Sequence, residues 1–527
     1  MVLSGAVASG KSTLAQSLVD RFQFVRVRTH ELIRALKTDV PLERKSLQEA
    51  GEALDRETGG TWLSQMLETR LGKEQQHASV VVDSVRIKGQ IDALREAYGP
   101  IVTHVHLTAP LEDLAERYLT RTSDLAAQPP YDEVRADPTE AQVETLRDCA
   151  DVVIDTRRSR PDDVFARVAS RIRLYGSGVV PLVDVVVGGQ YGSEGKGHIV
   201  SYLAPEYEVL VRVGGPNAGH TVYALPEREV FHHVPSGATR APNATLVIGP
   251  GAALWLPELQ AEVTRHEIEP DRLRIDPQAI LIETIDRDRE AELRKAIAST
   301  AQGVGRAAVR KILRTDADPR VRLARDEESL QPYIRSTTEV LEDAYAAGRK
   351  ILLEGTQGTL LSIHHGFYPH VTSRDTTVSG ALAEAGIPPA RVRKTIMVCR
   401  TYPIRVGGPS GPMPGEISWE IIAERSGIPL EELKGTEKTT TTRTQRRVSE
   451  FSWSEIRRAA ALNGPSDIAL TFTDYLKSVN KDARRFEQLD RDTVQFIEEL
   501  ERVTSAPVSL IATRFHYRSI IDRRRWF

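Results

Sequence analysis

Two stretches of this sequence combine glycines with a lysine in a spacing that grips phosphate. The first is Gly5-Ala6-Val7-Ala8-Ser9-Gly10-Lys11-Ser12-Thr13, which fits G-x-x-x-x-G-K-[ST] without deviation. In such a loop the backbone N–H groups close around phosphates. The lysine reaches the β- and γ-phosphates, and the hydroxyl after it can ligate Mg2+. Gly5, Gly10, Lys11, Ser12 and Thr13 are therefore the expected residues of a nucleoside-triphosphate site, with Ser12 as a magnesium ligand. Asp83 ends the apolar run Val80-Val81-Val82, where a second metal-positioning acid belongs. Arg86, Arg117 and Arg121 could clamp transferred phosphoryl charge, or could simply be solvated. The second stretch, Gly188-Gly189-Gln190-Tyr191-Gly192-Ser193-Glu194-Gly195-Lys196-Gly197, lacks that spacing. It can still wrap phosphates with N–H groups while Lys196 neutralises charge. About twenty residues later comes Gly214-Gly215-Pro216-Asn217-Ala218-Gly219-His220-Thr221.

Each glycine-rich loop must be held by a strand before it and a helix after it. Val2-Leu3 and residues 183–187 are β-branched or apolar runs of that kind. A buried strand that runs into glycines and a helix N-terminus is how α/β proteins open a phosphate site. A chain that does so twice reads as α/β domains in tandem. In the first, strands are expected at 24–27, 80–83, 101–107 and 152–155, with helices between them, as at 111–122. That alternation predicts a parallel sheet covered by helices. Residues 123–138, with three prolines, read as a loop or lid. Gly176-Ser177-Gly178 before Pro181 reads as a linker. The expected division is 1–175, a linker at 176–182, and 183–527.

The bulk properties narrow the function further. A chain of 527 residues exceeds one domain at about 100–200 residues each. A net charge of −3 provides no global basic field, so nucleic acid is not an expected partner. Cys149 and Cys399 are the only cysteines, too few and too far apart for a metal cluster or a disulfide framework. The N-terminus lacks a basic leader, and no apolar run approaches the ~18 residues needed to span a bilayer. A cytoplasmic protein with no membrane partner is expected.

The loops around Lys196 and His220 resemble the signatures of adenylosuccinate synthetases, usually G-x-Q-W-G-D-E-G-K-G and N-A-G-H-T. Further matches follow in order. Ser299-Thr300 with Gly303 and Gly305 resembles the family's loop for the monophosphate. Leu353-Glu354-Gly355-Thr356-Gln357-Gly358-Thr359-Leu360-Leu361 resembles E-G-A-Q-G-T-L-L. Tyr368-Pro369-His370-Val371-Thr372-Ser373 resembles Y-P-Y-V-T-S, and Arg405-Val406-Gly407 matches R-V-G. The resemblance covers the chain from about residue 183 to its end. It implies a carbon–nitrogen ligase in a larger α/β domain behind the P-loop domain, which itself resembles small nucleotide kinases.

In that family the purine 6-oxygen attacks the γ-phosphate of a nucleoside triphosphate, and the amine of L-aspartate then displaces the phosphoryl group. The resemblance implies that His220 donates to the transferring phosphoryl group, with Ser193, Lys196 and Gln357 beside it as catalytic residues. Gln357 would also bond the purine edge. Asn217, Thr300, Thr372, Arg405, Gly407 and the partner subunit's Arg314 would hold the purine monophosphate, which implies a homodimer. Gly192, Gly195, Gly197, Gly219 and Thr221 would cradle the triphosphate, while Ser193 and the Gly219 carbonyl would face Mg2+, the one cofactor expected. Thr441, Thr442, Arg443 and Arg446 would clamp aspartate, although Arg443 stands where glycine is usual and Thr444 where arginine is usual.

Two departures bear on substrate. Ser193 replaces the family's catalytic aspartate, which removes a proton acceptor and makes room for a 2-amino group. Phage enzymes of 2-aminoadenine synthesis resemble the family, carry such a replacement and join aspartate to dGMP. That resemblance implies (d)GMP here, with IMP as the alternative. At the triphosphate base, Thr471-Phe472-Thr473-Asp474 replaces T-K-x-D, and Ala512-Thr513-Arg514-Phe515 replaces S-T-G-P. Phe472 and Asp474 remain the candidate base contacts, and ATP is expected over GTP. A sensor that binds nucleotide without turnover is the competing reading. The acceptor of the N-terminal kinase is not legible.

Overall fold

The computed structural model describes every residue except 39, 42, 73–77, 121–129, 137, 176–177, 224–227, 317, 439–443, 517 and 526–527. The chain divides into two compact units, Met1–Ser177 and Gly178–Phe527.

The first unit is built on five parallel strands in the order Val25–Arg28, Val80–Asp83, Val2–Ser4, His104–Thr108, Val152–Asp155. Apolar side chains on both sheet faces, such as Val2 and Val82 on one and Leu3 and Val105 on the other, form two cores under the helices. This is the pattern of a parallel sheet buried on both sides. The strand expected at 101–107 is shorter, because Gly99–Ile101 forms a turn of 3-10 helix around Pro100. The helix expected at 111–122 is described as Leu111–Leu119. The region read as a loop, 123–138, contains the helix Tyr131–Arg135, and Pro138 opens another, Pro138–Thr145. Prolines that look like breakers mark helix starts here, where a missing N–H leaves no bond unmade.

The second unit has nine strands in the order Leu273–Ile275, Thr245–Ile248, Val209–Arg212, Ile351–Glu354, Val183–Gly188, Val392–Arg400, Asp467–Thr471, Val508–Ala512, Ile520–Asp522. All neighbours are parallel except the last pair. Val185 and Val187 pack into one core and Val186 into another, so the central strand is buried on both faces. Open parallel sheets bind ligands beyond the C-terminal ends of their strands. The glycine-rich loop after Gly188, the His220 loop after Arg212, the Gln357 loop after Glu354 and Phe472 after Thr471 all leave from such ends. No helix among the described residues is long and apolar enough to cross a membrane.

Candidate active site

Those strand ends surround one cleft of about 950 Å³. Gly192, Ser193, Gly195, Lys196 and Gly197 line it from the first loop, and Asn217, Gly219, His220 and Thr221 from the second. Thr300, Gln357, Thr372, Arg405, Gly407, Arg446 and Phe472 complete the expected residues that reach it. Asp474 and Arg314 do not line it. Asp474 is buried, and Arg314 is exposed at the end of the helix Val304–Leu313. Thr441, Thr442 and Arg443 lie outside the described residues.

The loops approach closely because side chains are absent where they meet. A Cβ on Gly358 would lie 2.3 Å from Glu194 Oε1 and 2.4 Å from the Gln190 carbonyl oxygen. One on Gly197 would lie 2.8 Å from the Cβ of His220. Lys196 opens the helix Lys196–Leu203 and sits with its N–H groups at the positive end of that helix. Its ammonium pairs with Glu194 at 2.7 Å, both groups buried. The other Glu194 oxygen accepts from the N–H groups of Gln190 and Gly192. Glu194 thus folds the loop and fixes the lysine, a role that sequence reasoning did not assign.

A second unassigned carboxylate lies behind His220. Strand register sets Glu354 beside Arg212, and Glu354 accepts from His220 Nδ1, Arg212, and the Ser236 N–H and hydroxyl. Burial pushes the Glu354 carboxyl up, but Arg212 and His220 outweigh that and hold it at about 2. Burial and then Arg212 bring His220 down to about 4 despite Glu354. The pair is therefore a carboxylate against a neutral imidazole. The ring's proton sits on Nδ1, and Nε2 is left for the cleft.

A third buried carboxylate, Glu437, holds Arg400 at 2.8 Å and Arg446 at 3.2 Å and accepts from the Tyr475 hydroxyl at 2.8 Å. It aims Arg446 into the part of the cleft shared with Thr444 and Lys438. Arg405 donates to the carbonyls of Pro412 and His370 and lies 4.6 Å over the Tyr191 ring.

Several polar groups at the cleft have no partner among the described residues. Gln357 has a backbone φ of 56° and is 9% exposed, and neither Oε1 nor Nε2 makes a hydrogen bond. Asn217 Oδ1 and His370 Nδ1 are likewise unpaired. Buried polar atoms are nearly always satisfied, and each one left open costs about 1–3 kcal/mol. Such a group on a cleft wall points to a ligand that supplies its partner.

The family model for adenylosuccinate synthetase matches residues 185–323 and 317–481. The chain belongs to the adenylosuccinate synthetase family. The adenylosuccinate synthetase of Methanocaldococcus jannaschii is 37% identical over 349 residues, 64% of this chain and 96% of the relative. That of Pyrococcus horikoshii is 36% identical over 354 residues, covering 64% and 98%. Among solved structures, the succinoaminodeoxyadenylate synthetase of cyanophage S-2L, bound to dGMP and to dATP as an energy donor, superimposes with a TM-score of 0.54. It is 27% identical and covers 65% of this chain and 96% of the phage chain. Adenylosuccinate synthetase of Plasmodium falciparum shares the fold at a TM-score of 0.57 and 21% identity, covering 65% of this chain and 100% of that one. The C-terminal unit is thus a carbon–nitrogen ligase of this family.

The AAA domain model matches residues 1–152, and the N-terminal unit is a P-loop kinase-like domain. Gly10 caps the helix Lys11–Phe22 with φ 98°. Ser12 and Thr13 lie in its first turn, and Lys11 donates back to the carbonyls of Gly5 and Ala6 at 2.6 and 2.7 Å. Asp83 is paired with Arg26 at 2.5 Å, Arg86 with Glu140, and Arg117 bonds Thr156. Arg121 lies outside the described residues.

Proposed function

We propose that the C-terminal unit joins L-aspartate to C6 of a guanine monophosphate, dGMP or GMP, and that ATP can drive the reaction. The observation that carries this reading is the unpaired Gln357 amide in the same cleft as an exposed Ser193. One amide offers a donor and an acceptor to a purine edge. Ser193 presents a hydroxyl where the family has a carboxylate, and the nearby Glu194 and Glu354 are held by cations. A 2-amino group therefore meets no displaced charge and finds more room. The cyanophage relative binds dGMP and dATP, which supports the same choice.

In the first step N1 gives up its proton to solvent at the exposed Ser193, the purine O6 forms a bond to the γ-phosphorus and the bond to the leaving diphosphate breaks. In the second, the neutral aspartate amine attacks C6, the C6–O bond breaks, and inorganic phosphate departs with the proton that the amine loses. The protein's part is to position and to balance charge. Neutral His220 presents Nε2 as an acceptor. Phosphoryl charge arriving beside it favours the imidazolium, which Glu354 stabilises from behind, so that Nε2–H can donate to the transferring group. Asn217, Thr300 and Thr372 would hold the monophosphate, and Arg446 an aspartate carboxylate. Mg2+, when bound, neutralises charge on the phosphates. The hydroxyl of Ser193 and the carbonyl of Gly219 are hard oxygen donors that suit it, and the phosphates themselves would supply most of the remaining oxygens.

The N-terminal unit would phosphorylate a nucleotide of the same route. Arg314 would serve a second copy's cleft. Val309, Ile312 and Leu313, exposed on the adjoining helix, support a homodimer through that face. The test is to incubate purified protein with aspartate, ATP and dGMP and to seek the succino-nucleotide by mass. Product is expected. Its absence with every purine monophosphate would favour the sensor.

A further inference from the structure

Outside the cleft, one imidazole and two carboxylates converge between the end of the strand Arg228–Phe231 and the helix Leu256–Arg265. His232 follows that strand directly. Glu258 and Glu262 stand four apart on the helix and so share one of its faces. His232 Nδ1 and one carboxylate oxygen from each glutamate all lie within 4.8 Å of one another. Glu262 is fully buried, while the side chains of His232 and Glu258 keep 15% and 33% of their surface exposed.

Hydrogen bonding does not account for this arrangement. His232 Nδ1 lies 3.1 Å from Glu258 Oε1 and 3.4 Å from Glu262 Oε1. It is shielded from solvent, yet it makes no hydrogen bond to either oxygen. Nitrogen and oxygen donors that share a tetrahedral zinc ion at about 2.0–2.1 Å stand about 3.3 Å apart, and the two contacts bracket that spacing. Glu262 is also held in a fixed orientation. Its Oε2 accepts from the N–H groups of His233 and Val234 at 3.0 Å each, and its Oε1 accepts from the His232 N–H. Hydrogen bonds of this kind aim a ligating carboxylate.

We propose that His232, Glu258 and Glu262 bind a Zn2+ ion, with water as the fourth ligand. One imidazole with two carboxylates suits zinc, whereas Mg2+ and Ca2+ take all-oxygen shells. The exposed edges of His232 and Glu258 give the ion a path in and leave its fourth position facing solvent. None of the three residues lines the cleft, so the site is separate from the Mg2+ assigned to the phosphates. It does not depend on which purine the cleft takes. Its effect would be on the fold. The segment that zinc would fasten to the helix runs on to Ser236, whose N–H and hydroxyl donate to Glu354. The carbonyls of Phe231 and Val234 in that segment accept from Arg212. Zinc would thus brace the groups behind His220 from outside the cleft.

Calorimetric titration of the untagged, metal-stripped full chain with Zn2+, without nucleotide, tests this. Glu258→Gln and His232→Asn each remove one ligand from a partly exposed position, and Glu262 is left intact because three backbone N–H groups depend on it. The native chain should bind one equivalent more than either variant, at micromolar affinity or tighter. Saturating zinc should raise the thermal midpoint of the second unit by about 3 °C or more in the native chain, and by less in both variants. Should one variant fold poorly, the other carries the comparison. Equal zinc equivalents in the native chain and the variants would overturn the site. So would an equal midpoint shift in all three, or a native chain that takes up no zinc.

Discussion

At the scale of single residues, the cleft depends on carboxylates that act through the groups they hold. Glu354 is 1% exposed, and its contact to His220 Nδ1 fixes which nitrogen is left for the cleft. Glu354→Gln keeps the size but removes the charge that stabilises the imidazolium. It should lower kcat by about 100-fold or more while leaving substrate KM values nearly unchanged, since losing the acid that orients a catalytic imidazole has a cost of at least that order. Initial-rate kinetics check this, and a purely structural role would raise KM as well. These partners were not legible in the sequence. Glu194 and Glu354 stand inside recognisable loops, but the cations that hold them come partly from other segments. Arg212 lies 142 positions from Glu354, and Arg400 lies 37 from Glu437. Motif spacing reveals which loops exist and not which buried charges pair across them.

At the scale of elements, the loops must nest without side chains at their crossing. Gly358→Ala would drive a methyl group into Glu194 and the Gln190 carbonyl. Overpacking of that kind costs about 1–3 kcal/mol. The expected outcome is a lower thermal midpoint together with a higher triphosphate KM, because the displaced atoms belong to the glycine-rich loop proposed to hold the triphosphate. The helix Val304–Leu313 offers a second case. Arg314→Ala should raise the KM for the monophosphate, and mixing it with a cleft-defective variant should restore activity only if subunits share sites. Much of the element pattern could be read in advance: the strands Val80–Asp83 and Val152–Asp155 fall where the apolar runs place them. The helix Tyr131–Arg135 was hidden because Pro130, at its N-cap, looks the same in a sequence whether it breaks a helix or opens one.

At the scale of the whole molecule, buried histidines set the acid limit. Burial brings His198, His220 and His233 each to about 4, below the ordinary value of 6.5. The unfolded chain therefore binds protons between about pH 6.5 and 4 that the folded chain does not, and stability falls as pH falls through that window. Glu262 and Glu354, both held at about 2, have the same sign but act below about pH 4.5. Guanidinium midpoints of the second unit should fall steadily from pH 6.5 to 4, and His233→Gln should flatten part of that slope.

The choice of purine is assigned above all to Ser193. It is tested most directly by kcat/KM for dGMP and IMP in the native chain and in Ser193→Asp. The native chain should prefer dGMP by tenfold or more. The variant, with a carboxylate restored beside Gln357, should reverse the order in favour of IMP. A native chain that prefers IMP, or a variant whose preference does not move, would contradict that assignment.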